Sequence, residues 1–174
     1  MNTETQINNV LEHYQRFTQT TAVYPDAGKH TFLELMYLFL GFKGESQELH
    51  TELTAENVEQ EKVQKEAGDV FWYISQLCNL HKWDLVQMYS GANFANYDNF
   101  VPNTFEAIKK WIRDNKNYER SLSSEITLML GLFKSVWDEE EIINIIIKNR
   151  DKLIDRQNKG VLKGSGETIE ERSQ

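Results

Sequence analysis

Gly44-Glu45-Ser46-Gln47-Glu48-Leu49 and Glu66-Ala67-Gly68-Asp69-Val70-Phe71-Trp72-Tyr73 are the two halves of a stretch, Gly41 to Tyr73, around which the rest of the chain reads as scaffold. Each half carries two carboxylates three residues apart, which on a helix puts both on one face about one turn apart. Two such helices packed antiparallel aim four carboxylates at one spot. Left uncompensated, like-charge repulsion and desolvation would destabilise that cluster. A bound hard cation removes the conflict, because Mg²⁺ and Ca²⁺ both take carboxylate oxygens as ligands. Glutamates also line solvated helix faces with no metal nearby, and an isolated E-x-x-E pair means almost nothing. Two pairs at matched spacing, each beside an apolar run and separated by a polar connection, are more specific. Gly41, Gly44 and Gly68 each cost roughly 1 kcal/mol in a helix interior relative to Ala. They point either to close helix approach beside the carboxylates or to a local kink.

Outward from this stretch the apolar period is helical. With two prolines in the chain and few glycines in its body, an all-α bundle is the expected fold. Ile7, Val10, Leu11, Tyr14, Phe17 and Thr18 mark a first amphipathic helix, and Pro25-Asp26-Ala27-Gly28 marks a turn. Thr31 with Glu34 reads as a capping box opening the second helix. Leu35, Phe39, Phe42, Leu49 and Leu53 face its core, and Glu45, Glu48 and Glu52 lie on another face. A third helix starts near Val58, with Val63, Ala67, Val70, Ile74 and Leu77 inward and Lys62, Glu66, Asp69, Tyr73 and Gln76 on the neighbouring stripe. From Trp83 to Asn99 the pattern weakens to a short helix and a loop. Pro102, Asn103 and Glu106 suggest a helix start, with Phe105, Ile108, Trp111 and Ile112 as its apolar side. Ser121 to Val136 is a further helix, with Leu122, Ile126, Met129, Leu130 and Phe133 inward. Asp138 with Glu141 opens a long last helix through Ile142, Ile143, Ile145, Ile146, Leu153 and Ile154. Asn149, Lys152 and Arg156 share one stripe of it. By themselves they suit a solvated basic helix end that complements the helix dipole. One domain over 1–157 and a mobile tail over 158–174, rich in Gly, Lys and Ser and then acidic, is the expected organisation.

The 174 residues, 40% hydrophobic, are enough for one core. A net charge of −8 argues against a surface that coats nucleic-acid polymers. Cys78, the lone cysteine, forms no internal disulfide and suits a cytoplasmic home. The polar N-terminus lacks a signal-peptide pattern, and the apolar run Phe32 to Phe42 is interrupted by Glu34 and too short to span a bilayer.

The two carboxylate segments, with Lys65 preceding the second, resemble the MazG-like nucleotide pyrophosphohydrolases of the all-α NTP pyrophosphatase superfamily, which includes dimeric dUTPases and dCTP pyrophosphatases. Asn149-Arg150-Asp151-Lys152-Leu153-Ile154-Asp155-Arg156, with Gly160 and Gly164-Ser165-Gly166 after it, is similar to that family's closing N-x-x-K-L-x-x-R helix and tail. Glu167-Thr168 stands where the family's tail often has Asp-Asn, and Gly44 stands where its longer members have an extra Glu. Residues 83–138 carry no matching motif and read as a helical insertion. The resemblance implies Mg²⁺, with Mn²⁺ as a substitute, bound by Glu45, Glu48, Glu66 and Asp69. It implies cleavage of a nucleoside or deoxynucleoside triphosphate to the monophosphate and pyrophosphate, with Glu45 or Glu48 as the base for the attacking water. Asn149, Lys152 and Arg156 become phosphate contacts, and a homodimer or homotetramer is implied. Tyr73, on the carboxylate stripe, is a better candidate than Trp72 to stack on a base. Lys159 and Lys163 are further phosphate candidates in the tail.

Two other classes compete. A di-iron carboxylate protein wants Glu-x-x-His pairs, and neither carboxylate pair here is followed by His at that position. A non-catalytic helical bundle that binds a metal or a partner through its acidic face remains the alternative. His13, His30, His50 and His81 show no pairing suited to zinc, and Cys78 falls on an apolar stripe as inert packing.

Overall fold

A computed structural model describes residues 3–94 and 104–162. Among them run seven helices and no strand: α1 (Thr3–Thr20), α2 (Phe32–Leu53), α3 (Gln60–His81), α4 (Leu85–Gly91), α5 (Thr104–Asp114), α6 (Glu119–Val136) and α7 (Glu139–Asn158). The fold is all-α. The expectations for Pro102, Asn103, Lys163, Gly164-Ser165-Gly166 and Glu167-Thr168 lie outside the described residues. No described helix is long and apolar enough to cross a membrane.

The long pair α2 and α3, joined by residues 54–59, forms a helical hairpin with the most extensive helix–helix contact among the described residues. Its seam follows the apolar period: Leu35, Phe39, Phe42 and Leu49 from α2 meet Val63, Ala67, Val70, Ile74 and Leu77 from α3, all buried. Leu53, expected inward, is half-buried where α2 runs out into the connection. α3 begins at Gln60, after the extended Glu59, so Val58 precedes the helix and stays exposed. α1 and α7 cover the other side of α3, α4 lies on α1 and α6, and α5 and α7 also touch α6. Residues 83–138 thus supply α4, α5 and α6.

Helix ends account for two of the sharper sequence signals. At α7 the capping box is complete: Asp138 Oδ1 accepts the Glu141 N–H at 2.9 Å, and Glu141 Oε2 accepts the Asp138 N–H at 3.1 Å. At α2 only half of it forms, with Thr31 Oγ1 accepting the Glu34 N–H at 3.2 Å. The Glu34 carboxylate, buried, turns away to accept from the Gly28 N–H (2.6 Å), the His30 N–H (2.7 Å) and the Tyr24 hydroxyl (3.2 Å). Asp26, Gly28 and His30 take positive φ as the chain folds around that carboxylate. The α1–α2 turn is organised by a buried acid.

Three apolar assignments are corrected. Phe105 and Ile112 on α5 are about half exposed: α5 turns Ile108 inward against α6, and its Phe105 ring meets only the edge of α2, at Phe39 (5.0 Å). Ile154 sits one position off the inward stripe of Ile142, Ile146, Asn149 and Leu153, and is exposed. α6 starts at Glu119, two residues ahead of the expected Ser121, with Leu122, Ile126, Met129, Leu130 and Phe133 buried as their spacing requires.

Because Glu34 satisfies three donors from a buried position, Glu34→Ala is expected to cost about 2–4 kcal/mol in urea unfolding. Asp138→Ala, the loss of an exposed cap, is expected to cost about 1 kcal/mol. Equal losses would remove the special role given to Glu34.

Candidate metal centre and its cavity

Ligand oxygens of Glu45, Glu48 and Glu66 lie within 4.8 Å of one another across the α2–α3 hairpin. Glu66 is buried, Glu45 half-buried and Glu48 exposed, so the cluster runs from the helix seam to solvent. Asp69 faces the same cavity, but its Oδ1 is held from α7, accepting Asn149 Nδ2 at 2.8 Å and the Lys152 ammonium. Lys65 Nζ donates to Glu66 Oε1 at 2.7 Å. Two lysines thus offset part of the negative charge. Glu45 takes the remainder: burial first, then Asp69, Glu48 and Glu66, push its carboxyl up to about 7.

Close backbone approach lets this happen. A Cβ on Gly68 would lie 2.8 Å from Asn149 Cβ, so only glycine there lets α7 bring Asn149 onto Asp69. Asn149, buried, is fixed from behind as well, its Oδ1 accepting the Tyr14 hydroxyl at 2.7 Å. A Cβ on Gly41 would fall 2.1 Å from Tyr73 Cε1, inside the ring's own volume. Gly44 has open space around it and serves no such contact.

The carboxylates form one end of a cavity of about 380 Å³ whose lining includes Tyr24, Tyr37, Trp72, Tyr73, Leu153 and Arg156. Tyr24 stacks on Tyr37 with centroids 4.6 Å apart, and Trp72 meets Tyr73 edge-on at 4.9 Å and Tyr24 at 6.1 Å. Trp72 Nε1 donates to Thr21 Oγ1 at 2.8 Å, fixing this wall to the end of α1. Burial and the neighbouring Tyr37 push the Tyr73 phenol well above its ordinary range, so it stays neutral. Lys159 closes α7, and the chain then turns through Gly160 at positive φ, with the Val161 N–H on the Arg156 carbonyl at 3.0 Å, to bring Leu162 to the cavity.

The structure therefore brings Glu45, Glu48, Glu66, Asp69, Tyr73 and Arg156 to one cavity and divides the α7 stripe. Asn149 and Lys152 stand behind Asp69 and line a neighbouring cavity instead. Tyr24, Tyr37 and Lys65 were missed as site residues. Tyr37 was detectable, since it stands eight residues before Glu45 on the same helix face; Tyr24, in a turn, left no periodic mark. Cys78 is buried packing beside the Met88 sulfur at 3.6 Å, its thiol pushed up to about 12 by burial.

No family model matches this chain, and no solved structure matches it. Among curated proteins, the Gene 37 protein of Mycobacterium phage L5 is 36% identical over 81 residues, an overlap of 40% of this chain and 69% of that protein.

A raised folded-state pKa at Glu45 stabilises the protein below its ordinary value of 4.5, and that contribution is lost as pH rises through about 7. Metal-free protein is therefore expected to melt at lower temperature at about pH 8 than at about pH 5.5. Glu45→Gln should flatten this difference, and added Mg²⁺ should shrink it in the native protein. Thermal melts showing the same pH dependence with and without the substitution would locate the effect elsewhere.

Proposed function

We propose that this chain, which belongs to the family of the Gene 37 protein of Mycobacterium phage L5, is a Mg²⁺-dependent nucleoside triphosphate pyrophosphohydrolase that releases a nucleoside monophosphate and pyrophosphate. The observation that carries the reading is the convergence of three glutamate oxygens within 4.8 Å beside an aromatic-walled cavity that also holds Arg156. The donor set fits a hard divalent ion. It is all oxygen, the ligand type that Mg²⁺ takes, and the three oxygens lie within 4.8 Å of one another. Burial first, and the neighbouring carboxylates second, raise the pKa of Glu45, a cost that a bound cation would relieve. Glu45, Glu48 and Glu66 would hold the ion, with Asp69 completing the set; Mn²⁺ would serve as a substitute. The ion supplies neutralisation of phosphate charge and a lower pKa for bound water.

The chain's own residues do the rest. Water adds across the bridge between the α- and β-phosphates, and its proton passes to Glu45 or Glu48 as pyrophosphate leaves. Arg156 reaches phosphate oxygens in bidentate fashion. Asn149 and Lys152 act through Asp69, whose orientation they hold. Tyr37 and Tyr73 offer ring faces to a base, and Tyr37 is 40% exposed, enough to receive one. The proposal includes a cytoplasmic location and a homodimer or homotetramer. Exposed Phe32, Leu33 and Leu40 on α2, with Phe105 and Ile112 on α5, form the kind of apolar surface that assembly covers.

The test is a panel of NTPs and dNTPs incubated with and without Mg²⁺, with Glu66→Gln as the matched control. Monophosphate and pyrophosphate are expected, metal-dependent, with activity in the variant lowered by at least about 100-fold. Diphosphate and phosphate as products would discard the proposed bond. Metal binding without turnover of any member would favour a non-catalytic bundle, and no metal binding would overturn the site.

A further inference from the structure

Tyr24 belongs to two linings: that of the carboxylate cavity, and that of a separate cavity of about 370 Å³ between the α1–α2 turn and the last turns of α3. The polar part of this second lining includes Gln19, His30, Glu34, Gln76 and Asn79. Gln76 and Asn79 stand three residues apart on α3, one above the other on one face. Gln76, only 3% exposed, donates its Nε2 to the Thr18 carbonyl, and Asn79 donates its Nδ2 to the Gln15 carbonyl at 3.1 Å. A carbonyl only accepts, so both amides are fixed with nitrogen toward α1 and oxygen away from it. Among the described residues neither Gln76 Oε1 nor Asn79 Oδ1 accepts a hydrogen bond. His30 Nδ1 lies 3.0 Å from the Leu80 carbonyl and so carries the ring hydrogen, which leaves Nε2 as an acceptor in the neutral ring. The buried Glu34 accepts three donors of the turn, one fewer than the roughly four acceptor sites of a carboxylate. No lysine or arginine is among the described residues that line the cavity.

Acceptors therefore gather here around one buried negative charge, with no basic side chain to answer them. We infer that this cavity binds a small organic cation carrying N–H groups, a protonated amine or guanidine. Glu34 supplies the charge, and Gln76 and Asn79 supply neutral oxygens already oriented by their bonds to α1. Ala22, Ala27 and Leu80 give the ligand's carbon chain an apolar surface. The volume falls in the range of small-molecule sites, roughly 300–1,000 Å³. A divalent metal is a poorer match, because beyond Glu34 and His30 no His, Cys, Asp or Glu is among the described lining residues. The site stands apart from the hydrolase reading but touches it at one point. The Tyr24 hydroxyl that donates to Glu34 at 3.2 Å belongs to the ring stacked on Tyr37. A cation that competes for Glu34 reaches the aromatic wall through that bond.

The test is an NMR titration of the nitrogen-labelled full chain, with Mg²⁺ in excess to occupy the carboxylate cluster. Methylguanidinium and butylammonium are compared with tetramethylammonium, which has the same charge and no N–H group. At least one of the first two should shift the side-chain amide resonances of Gln76 and Asn79 and bind at least about tenfold more tightly than tetramethylammonium. The tighter of the two assigns the head group. Asn79→Leu should weaken binding by about tenfold. Gln19→Glu, an exposed change on the lining, should tighten it by at least about twofold. Gln64→Glu adds the same charge about 18 Å away along α3 and should leave affinity unchanged. A variant that merely unfolds cannot bind more tightly, so the Gln19 change separates a lost site from a lost fold. No shift at either amide, equal binding of tetramethylammonium, or shifts confined to the carboxylate cluster would overturn the site. Cation binding here keeps the site whether or not nucleotides are hydrolysed, so the two readings fail separately.

Discussion

Four carboxylates brought to one end of a helical hairpin are the constraint that the surrounding structure answers. Glu45, Glu48 and Glu66 repel one another at separations under 4.8 Å, two of them with their surface largely removed from water. A helix pair selected for stability alone would place such residues outward. Here the apolar seam of Phe42, Leu49, Ala67 and Val70 holds the hairpin together next to them. Lys65 and Lys152 return part of the lost solvation, and Asn149 contributes a neutral donor. What is left over collects on Glu45 as a raised proton affinity. Hydrophobic burial elsewhere offsets this local cost, as is common where function and stability compete.

Two glycines transmit that geometry. Gly68 lets α7 approach closely enough for Asn149 to bridge the Tyr14 hydroxyl in the core and the Asp69 carboxylate in the cavity. Gly41 leaves the space that the Tyr73 ring fills, so the aromatic wall and the carboxylates are set by neighbouring turns of α2. On the opposite flank the buried Glu34 fixes the α1–α2 turn and, through Tyr24, the ring stacked on Tyr37. Site and core share one network of contacts.

Much of this was legible from local spacing. The apolar period identified the buried faces of α1, α2, α3 and α6, and Asp138 with Glu141 marked the start of α7, because caps and amphipathic stripes depend on residues within a few positions. The E-x-x-E and E-x-x-D spacings likewise marked the faces that meet. Features that depend on how distant segments pair were not legible. Thr31 and Glu34 fit a capping box, yet the tertiary turn offered the Glu34 carboxylate better donors at Gly28 and His30. Phe105 and Ile112 share a helical stripe with Ile108, but whether a stripe is covered depends on the partner helix.

The α7 stripe shows most clearly where spacing stops being informative. Asn149, Lys152 and Arg156 lie on one face and invite one role, yet α7 crosses α3 at Gly68–Asp69 and that crossing divides them. Arg156 falls on the aromatic side, and Asn149 and Lys152 fall on the lysine side. Lys62 and Lys148 are separated by about half of the chain, and nothing in either segment alone marks them as neighbours. The crossing also makes Asp69, held by α7 donors, the border between an aromatic-walled cavity and one lined by lysines. Two helices meeting at a glycine thereby place the carboxylates where the two environments join.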